Sequence, residues 1–97
     1  MKTLKKVTIT PIFVEEFLPP AEELVEESIY ISMKYKCSVH KCLCGCGNLT
    51  ILPFDNKFHG WDLIIAGDKI SFTPSVGNFN FPCKSHYIIT NNVANFV

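Results

Sequence analysis

Arginine is absent from this sequence of 97 residues; all nine basic residues are lysine, and nine acids balance them. Guanidinium is the usual bidentate reader of phosphate and guanine, so its absence at zero net charge argues against nucleic-acid binding. No apolar run approaches the roughly 20 residues that span a bilayer. Lys2, Lys5 and Lys6 lead into Val7-Thr8-Ile9-Thr10-Pro11 rather than into the apolar stretch of a signal peptide. A cytosolic protein without membrane attachment is expected. Also missing are internal repeats, a linker, a Gly-rich phosphate loop, a Gly-x-Ser-x-Gly elbow and a His-Glu-x-x-His pair. None of the familiar catalytic signatures is present.

What is there suffices for one compact domain over residues 1–97. Nearly half the residues are apolar (47%), including eight Phe and one Trp, which places the chain among globular sequences. A domain this small buries a modest share of its surface and gains from an added staple. The charges are uneven. Six of the nine acids fall between Glu15 and Glu27, whereas Lys34, Lys36, Lys41 and Lys84 flank the cysteines. An acidic helical face and solvated lysines account for this. A sharper reading has the lysines holding thiolates deprotonated, or the acids meeting a basic partner.

Most of the sequence has the pattern of strands. Val7 to Thr10 alternates, and Pro11 interrupts before Ile12-Phe13-Val14, as at a sheet edge or bend. Pro19-Pro20 opens the one helix candidate, Ala21 to Glu27. In the next segment Ile29, Ile31, Met33 and Tyr35 share one face of a strand, with Tyr30, Ser32, Lys34 and Lys36 on the other. Leu49 to Leu52 is a short strand ending at Pro53, and Trp61–Ile65 with Lys69–Thr73 form a hairpin around Ala66-Gly67-Asp68. Pro74 to Asn78 has the composition of a turn. His86–Thr90 and Val93–Val97 flank Asn91-Asn92, two residues tolerant of positive φ, so a second hairpin closes the chain. The expected fold is mainly β: a small antiparallel sheet or barrel-like domain with one short helix.

His40, Cys42, Cys44 and Cys46 lie within seven residues, and Cys83-Lys84-Ser85-His86 answers them about forty residues on. Thiolate and imidazole are ligands that Zn²⁺ and iron favour. In the cytosol, clustered cysteines indicate metal or catalysis before disulfides, and the count of five is odd. Gly45 and Gly47 each follow a cysteine and free the backbone to turn amides toward sulfur. The expected ligands are Cys83, His86 and two of Cys42, Cys44 and Cys46, with His40 in reserve. Cys37 stands apart as a structural or free thiol, and His59 as an ordinary loop histidine. Asn78, Ser75 and Ser85 are turn residues or hydrogen-bond partners of the ligands. Zinc suits a closed tetrahedron; the set His40, Cys42, Cys83 and His86 also matches the inventory of a Rieske [2Fe–2S] centre, though not its ligand order.

Tyr30-Ile31-Ser32, His40-Lys-Cys-Leu-Cys-Gly-Cys46-Gly, Trp61-Asp-Leu63, Pro74-Ser-Val-Gly-Asn78 and Cys83-Lys-Ser-His-Tyr87 together resemble a family of small bacterial Cys/His proteins. Its pattern runs His-x-Cys-x-Cys-Gly-Cys-Gly, Pro-Ser-Ile-Gly-Asn and Pro-Cys-Arg-Ser-His-Tyr-Trp-Ile. The chain departs from it at Lys84 and Ile88, where arginine and tryptophan are usual. The resemblance implies a metal-binding protein, often encoded beside bacterial ubiquitin-like conjugation components, without fixing an activity. Three functions follow as expectations. The first is a zinc-stabilised adaptor that binds a protein partner of a ubiquitin-like conjugation or phage-defence system. The second is a transfer enzyme carrying a thioester on a spare cysteine, Cys44 or Cys37. The third is electron transfer through a Rieske-like cluster.

Overall fold

The computed structural model describes residues 5–55, 60–78 and 82–97. His59, read from the sequence as an ordinary loop histidine, lies outside them. Among the described residues nine strands form two sheets: β1 (Lys6–Thr8), β2 (Thr10–Val14), β3 (Ser28–Ser32), β4 (Cys37–Lys41), β5 (Leu49–Pro53), β6 (Asp62–Ala66), β7 (Lys69–Gly77), β8 (His86–Thr90) and β9 (Val93–Phe96). One sheet has the order β1-β9-β8-β7-β6 and the other β2-β3-β4-β5. The fold is mainly β, as the alternating patterns predict. Neither sheet closes on itself, so it is two open sheets and no barrel.

The sheets share a core because alternate residues of their strands are apolar. Ile29 and Ile31 from β3, Leu52 from β5, Ile70, Phe72 and Val76 from β7, and Tyr87 and Ile89 from β8 pack together with Phe54. Phe54 and Phe72 meet edge to face at 6.1 Å. Cys42 and Leu43 belong to the same core, which ties the cysteine loop to the centre of the domain.

Three expectations are corrected. The helix candidate Ala21–Glu27 reduces to one 3₁₀ turn at Ala21–Glu23; two prolines before it and Glu27 at φ 62° leave no room for a second turn. The strand read over Ile29–Lys36 stops at Ser32, and all five residues of β3 are buried. Tyr30 on its far face enters a second small core with Leu24 and Val39, covered by Ile12, Val14 and Leu18. Pro74 to Gly77 is the second half of β7 rather than a turn. Its register against β8 shifts between Phe72 and Val76, and this irregularity hides the strand from a period-two reading. Among the named strands the pairing is antiparallel except for β2 on β3, which is parallel, with β2 and its Pro11 at the sheet edge; the isolated bridge of Phe54 with Trp61 is parallel as well. The Asn91-Asn92 hairpin forms as expected, at φ 47° and 66°.

Candidate functional site, a thiol cluster beside a serine–histidine pair

The β4–β5 loop folds back tightly. Cys42 N–H donates to the Asn48 carbonyl at 2.7 Å and Gly45 N–H to the Cys42 carbonyl at 3.0 Å. Gly45 and Gly47 take the positive φ (94° and 84°) that the turn requires. This turn points Cys42, Cys44 and Cys46 to one place, where Cys83 arrives from the segment before β8. The four sulfurs all lie within 4.8 Å of one another. Cys42 Sγ stands 3.4 Å from Cys44 Sγ and 3.8 Å from Cys83 Sγ, and Cys46 Sγ 3.6 Å from Cys83 Sγ. Four sulfurs at about 2.3 Å from one tetrahedral ion sit about 3.8 Å apart. The group can hold a metal ion.

Polar side chains converge on the buried sulfur. Ser85 Oγ lies 3.0 Å from Cys42 Sγ, and the Asn78 amide donates to it at 3.4 Å; the Asn48 amide donates to Cys46 Sγ at 3.3 Å. Burial raises the Cys42 thiol. Burial, followed by the neighbouring thiols, pushes Cys44 up to about 12. Hydrogen bonds from Ser85, ahead of the other contributions, bring Cys83 down to about 6. With burial holding Cys42 and Cys44 up, their sulfurs join Cys83 as thiolates only when a cation shares the charge.

Of the five ligands expected from sequence, the fold brings Cys42, Cys44, Cys46 and Cys83 together. His86 is not in that group. It opens β8 opposite Gly77, and its Nε2 lies 2.6 Å from Ser75 Oγ on β7, with both residues half-buried. His40 is fully buried on β4, with Nε2 2.7 Å from the Tyr87 hydroxyl; burial lowers its pKa to about 4, so it is neutral. Cys37 is a separate thiol on β4, raised by burial.

The cluster and the pair are mechanically joined. The Asn78 amide donates to Cys42 Sγ, Ser85 Oγ (3.2 Å) and the Tyr87 hydroxyl (3.2 Å), and the Asn78 backbone N–H donates to the Ser85 carbonyl at 2.8 Å. Thr50 Oγ1 donates to Asn78 Oδ1 at 3.3 Å. Asn78 lies three residues past Ser75, and Ser85 directly precedes His86. Burial drives the Tyr87 hydroxyl well above its usual range, so it stays protonated as a donor or acceptor within this network.

Sequence patterning makes Ser75 a turn residue or a helper of the cysteines. Its partner is eleven residues away and meets it only because β7 runs on to Gly77 with a shifted register. The usable signal is compositional: the two segments Pro-Ser-Val-Gly-Asn and Cys-Lys-Ser-His each carry a residue, Ser75 and His86, that lies outside the thiol cluster.

The domain thus carries a Ser–His contact and, joined to it through Asn78 and Ser85, a four-cysteine cluster able to hold a metal ion. The chain belongs to the BubE family, described as the bacterial ubiquitination-like system serine protease, whose sequence model matches residues 14–97. No curated protein and no solved structure matches the chain.

Proposed function

We propose that this chain is a serine hydrolase of a bacterial ubiquitination-like system, cleaving peptide or isopeptide bonds in the cytoplasm. The observation that carries this reading is the 2.6 Å contact between His86 Nε2 and Ser75 Oγ, the nucleophile–base geometry of acyl transfer. The family description, a serine protease, supports it. Ser75 Oγ attacks the substrate carbonyl while His86 Nε2 takes the hydroxyl proton. The proton passes to the departing amine as the C–N bond breaks, leaving an acyl ester on Ser75. Water, deprotonated by the same nitrogen, attacks the ester and releases acid and free serine.

Cys42, Cys44, Cys46 and Cys83 are the proposed ligands of one structural Zn²⁺. Four thiolates would fill its coordination sphere and leave no open position, so the ion would brace the fold and supply no chemistry. The sulfur spacing and the N–H and O–H groups aimed at sulfur support this assignment. A Rieske centre would require two histidines on one iron, and both candidates are engaged elsewhere, His40 with Tyr87 and His86 with Ser75. Thiol transfer is disfavoured because burial raises both Cys44 and Cys37, which leaves little thiolate for attack. An adaptor role shares the zinc brace and the protein partners but leaves the Ser75–His86 contact without a purpose.

The test is covalent labelling of the zinc-loaded protein with a fluorophosphonate, mapped by peptide mass spectrometry. Labelling is expected at Ser75 and is lost in His86→Ala. A native, zinc-loaded protein that remains unlabelled at Ser75 overturns the reading.

A further inference from the structure

The four-stranded sheet ends on β5. In the other sheet, β6 pairs with β7 no further than Asp62 opposite Thr73, so among the described residues β7 has a strand neighbour from Pro74 to Gly77 on the β8 side alone. These two strand edges border one cleft of about 180 Å³, lined by Leu49, Ile51 and Leu52 of β5, by Val76 and Gly77 of β7, and by Trp61.

Hydrogen-bond register shows which backbone groups face into it. Antiparallel neighbours exchange bonds at every second residue. Against β4 the bonded positions include Phe54 with Lys36 and Cys42 with Asn48. By that alternation Thr50 and Leu52 face β4, and the N–H and C=O of Leu49 and Ile51 point the other way. Between β7 and β8, Asn78 bonds Ser85, so Gly77, opposite His86, turns away from β8. Two observations agree: the Ser75 carbonyl accepts from Trp61 Nε1 at 3.4 Å, and the His86 carbonyl faces β9, accepting from Val97 N–H.

Thr50 and Asn78 meet through side chains, Oγ1 to Oδ1 at 3.3 Å. Contact through the ends of two side chains sets these backbones farther apart than the roughly 4.8 Å of directly paired strands. The cleft is smaller than the ~300–1,000 Å³ of ordinary small-molecule sites. Its walls offer outward peptide groups with apolar surface, since Leu49 and Ile51 are 37% and 52% exposed. A second backbone pairs with such walls in register.

The geometry points to a substrate bound as an added strand: one extended peptide segment lies between β5 and the end of β7. Its backbone bonds Leu49 and Ile51 on one side and Gly77 on the other, with apolar side chains over Leu49 and Ile51. Ser75, two residues before Gly77 on the same edge, then meets the bond to be cut. This assignment rests on Ser75 and His86 being the catalytic pair.

Two probes separate the claims on the full, zinc-loaded chain. A small fluorophosphonate without peptide tests the pair alone. Acetylated Val-Thr-Val peptides bearing a diphenyl phosphonate analogue of Gly, Ala, Leu or Lys test the strand. Ile51→Pro removes only an outward N–H, which edge strands tolerate, and Ile51→Thr keeps that N–H but trims the apolar surface. The small probe is expected to label Ser75 equally in all three proteins. The best peptide probe should label wild type about tenfold faster than Ile51→Pro and severalfold faster than Ile51→Thr, and N-methylation of either central residue should cost about tenfold, the effect of one lost hydrogen bond. Ser75 labelling by both probes with no effect of Ile51→Pro or of methylation overturns the strand. Dimerisation of the free protein that Ile51→Pro abolishes also overturns it, by placing a second copy in the cleft. Labelling by neither probe removes the catalytic pair and the strand with it.

Discussion

The thiol cluster and the Ser75–His86 pair sit at the same end of the domain, and Cys83 and His86 arrive on the same short segment, yet they are built in different ways. Three of the four cysteines come from a single turn whose shape two glycines and short spacings dictate. The pair comes from two strands and exists only through their register. A cluster of local origin survives small changes elsewhere. A pair of tertiary origin needs both of its strands fixed, and Asn78 and Ser85 fix them by bonding to Cys42. The durable site thereby holds the delicate one.

Breaking the chemistry alone should give the largest effect. Ser75→Ala is expected to lower turnover of a peptide substrate by about a thousandfold or more, while the denaturation midpoint stays put because the residue is half-buried and polar. A parallel loss of stability would show that Ser75 is structural. Breaking the brace should damage both regions. At free zinc a thousandfold above its dissociation constant the ion contributes about 4 kcal/mol, so chelation or Cys83→Ser should lower the unfolding free energy by that order. Activity should fall with it, and one equivalent of zinc should leave on native mass spectrometry.

Cutting the link between the regions sharpens the comparison. Asn78→Ala deserts Cys42, Ser85, Tyr87 and Thr50 at once, with an expected cost of about 1–3 kcal/mol. Turnover should fall further than stability alone accounts for, with zinc retained. Zinc stoichiometry, thermal unfolding and kcat on one sample decide the point. Tyr87→Phe removes the hydroxyl that meets His40 and Asn78 and should cost about 1–2 kcal/mol with a smaller effect on rate. Lys34→Ala serves as the remote control: its bond to Glu16 joins two half-exposed side chains, so about 0.5 kcal/mol or less is expected, and no change in activity.

Much of this molecule is legible in its sequence, for reasons that differ by element. The Asn91-Asn92 hairpin and Leu49–Pro53 can be read because turn chemistry and period-two patterning are local. Cys42, Cys44, Cys46 and Cys83 can be read because so many thiols at such short spacing are rarely found away from metal sites. Two misreadings come from tertiary context. Tyr30 alternates with Ile29 and Ile31 as though it faced solvent, but a second small core covers it. Pro74 and Gly77 have turn composition, yet they extend a strand whose neighbour on one side has already ended. Ser75 escapes recognition for that second reason. Its partner depends on a register shift that no local pattern encodes.

The small core around Tyr30 has a dynamic consequence. Residues between β2 and β3 lie over the outer face of the four-stranded sheet, held by Leu24 and Leu18 against Tyr30. The Tyr30 hydroxyl also accepts from Val25 N–H, and Ser32 Oγ donates to the Glu16 carbonyl. None of these contacts involves the core shared by the two sheets or the end that carries the thiols. This flap can therefore detach as an independent opening unit, exchanging its amide hydrogens at a free energy well below that of global unfolding. Hydrogen exchange is then expected to resolve two layers: an acidic cover that breathes, and beneath it a frame whose amides stay protected for as long as the thiol end stays closed.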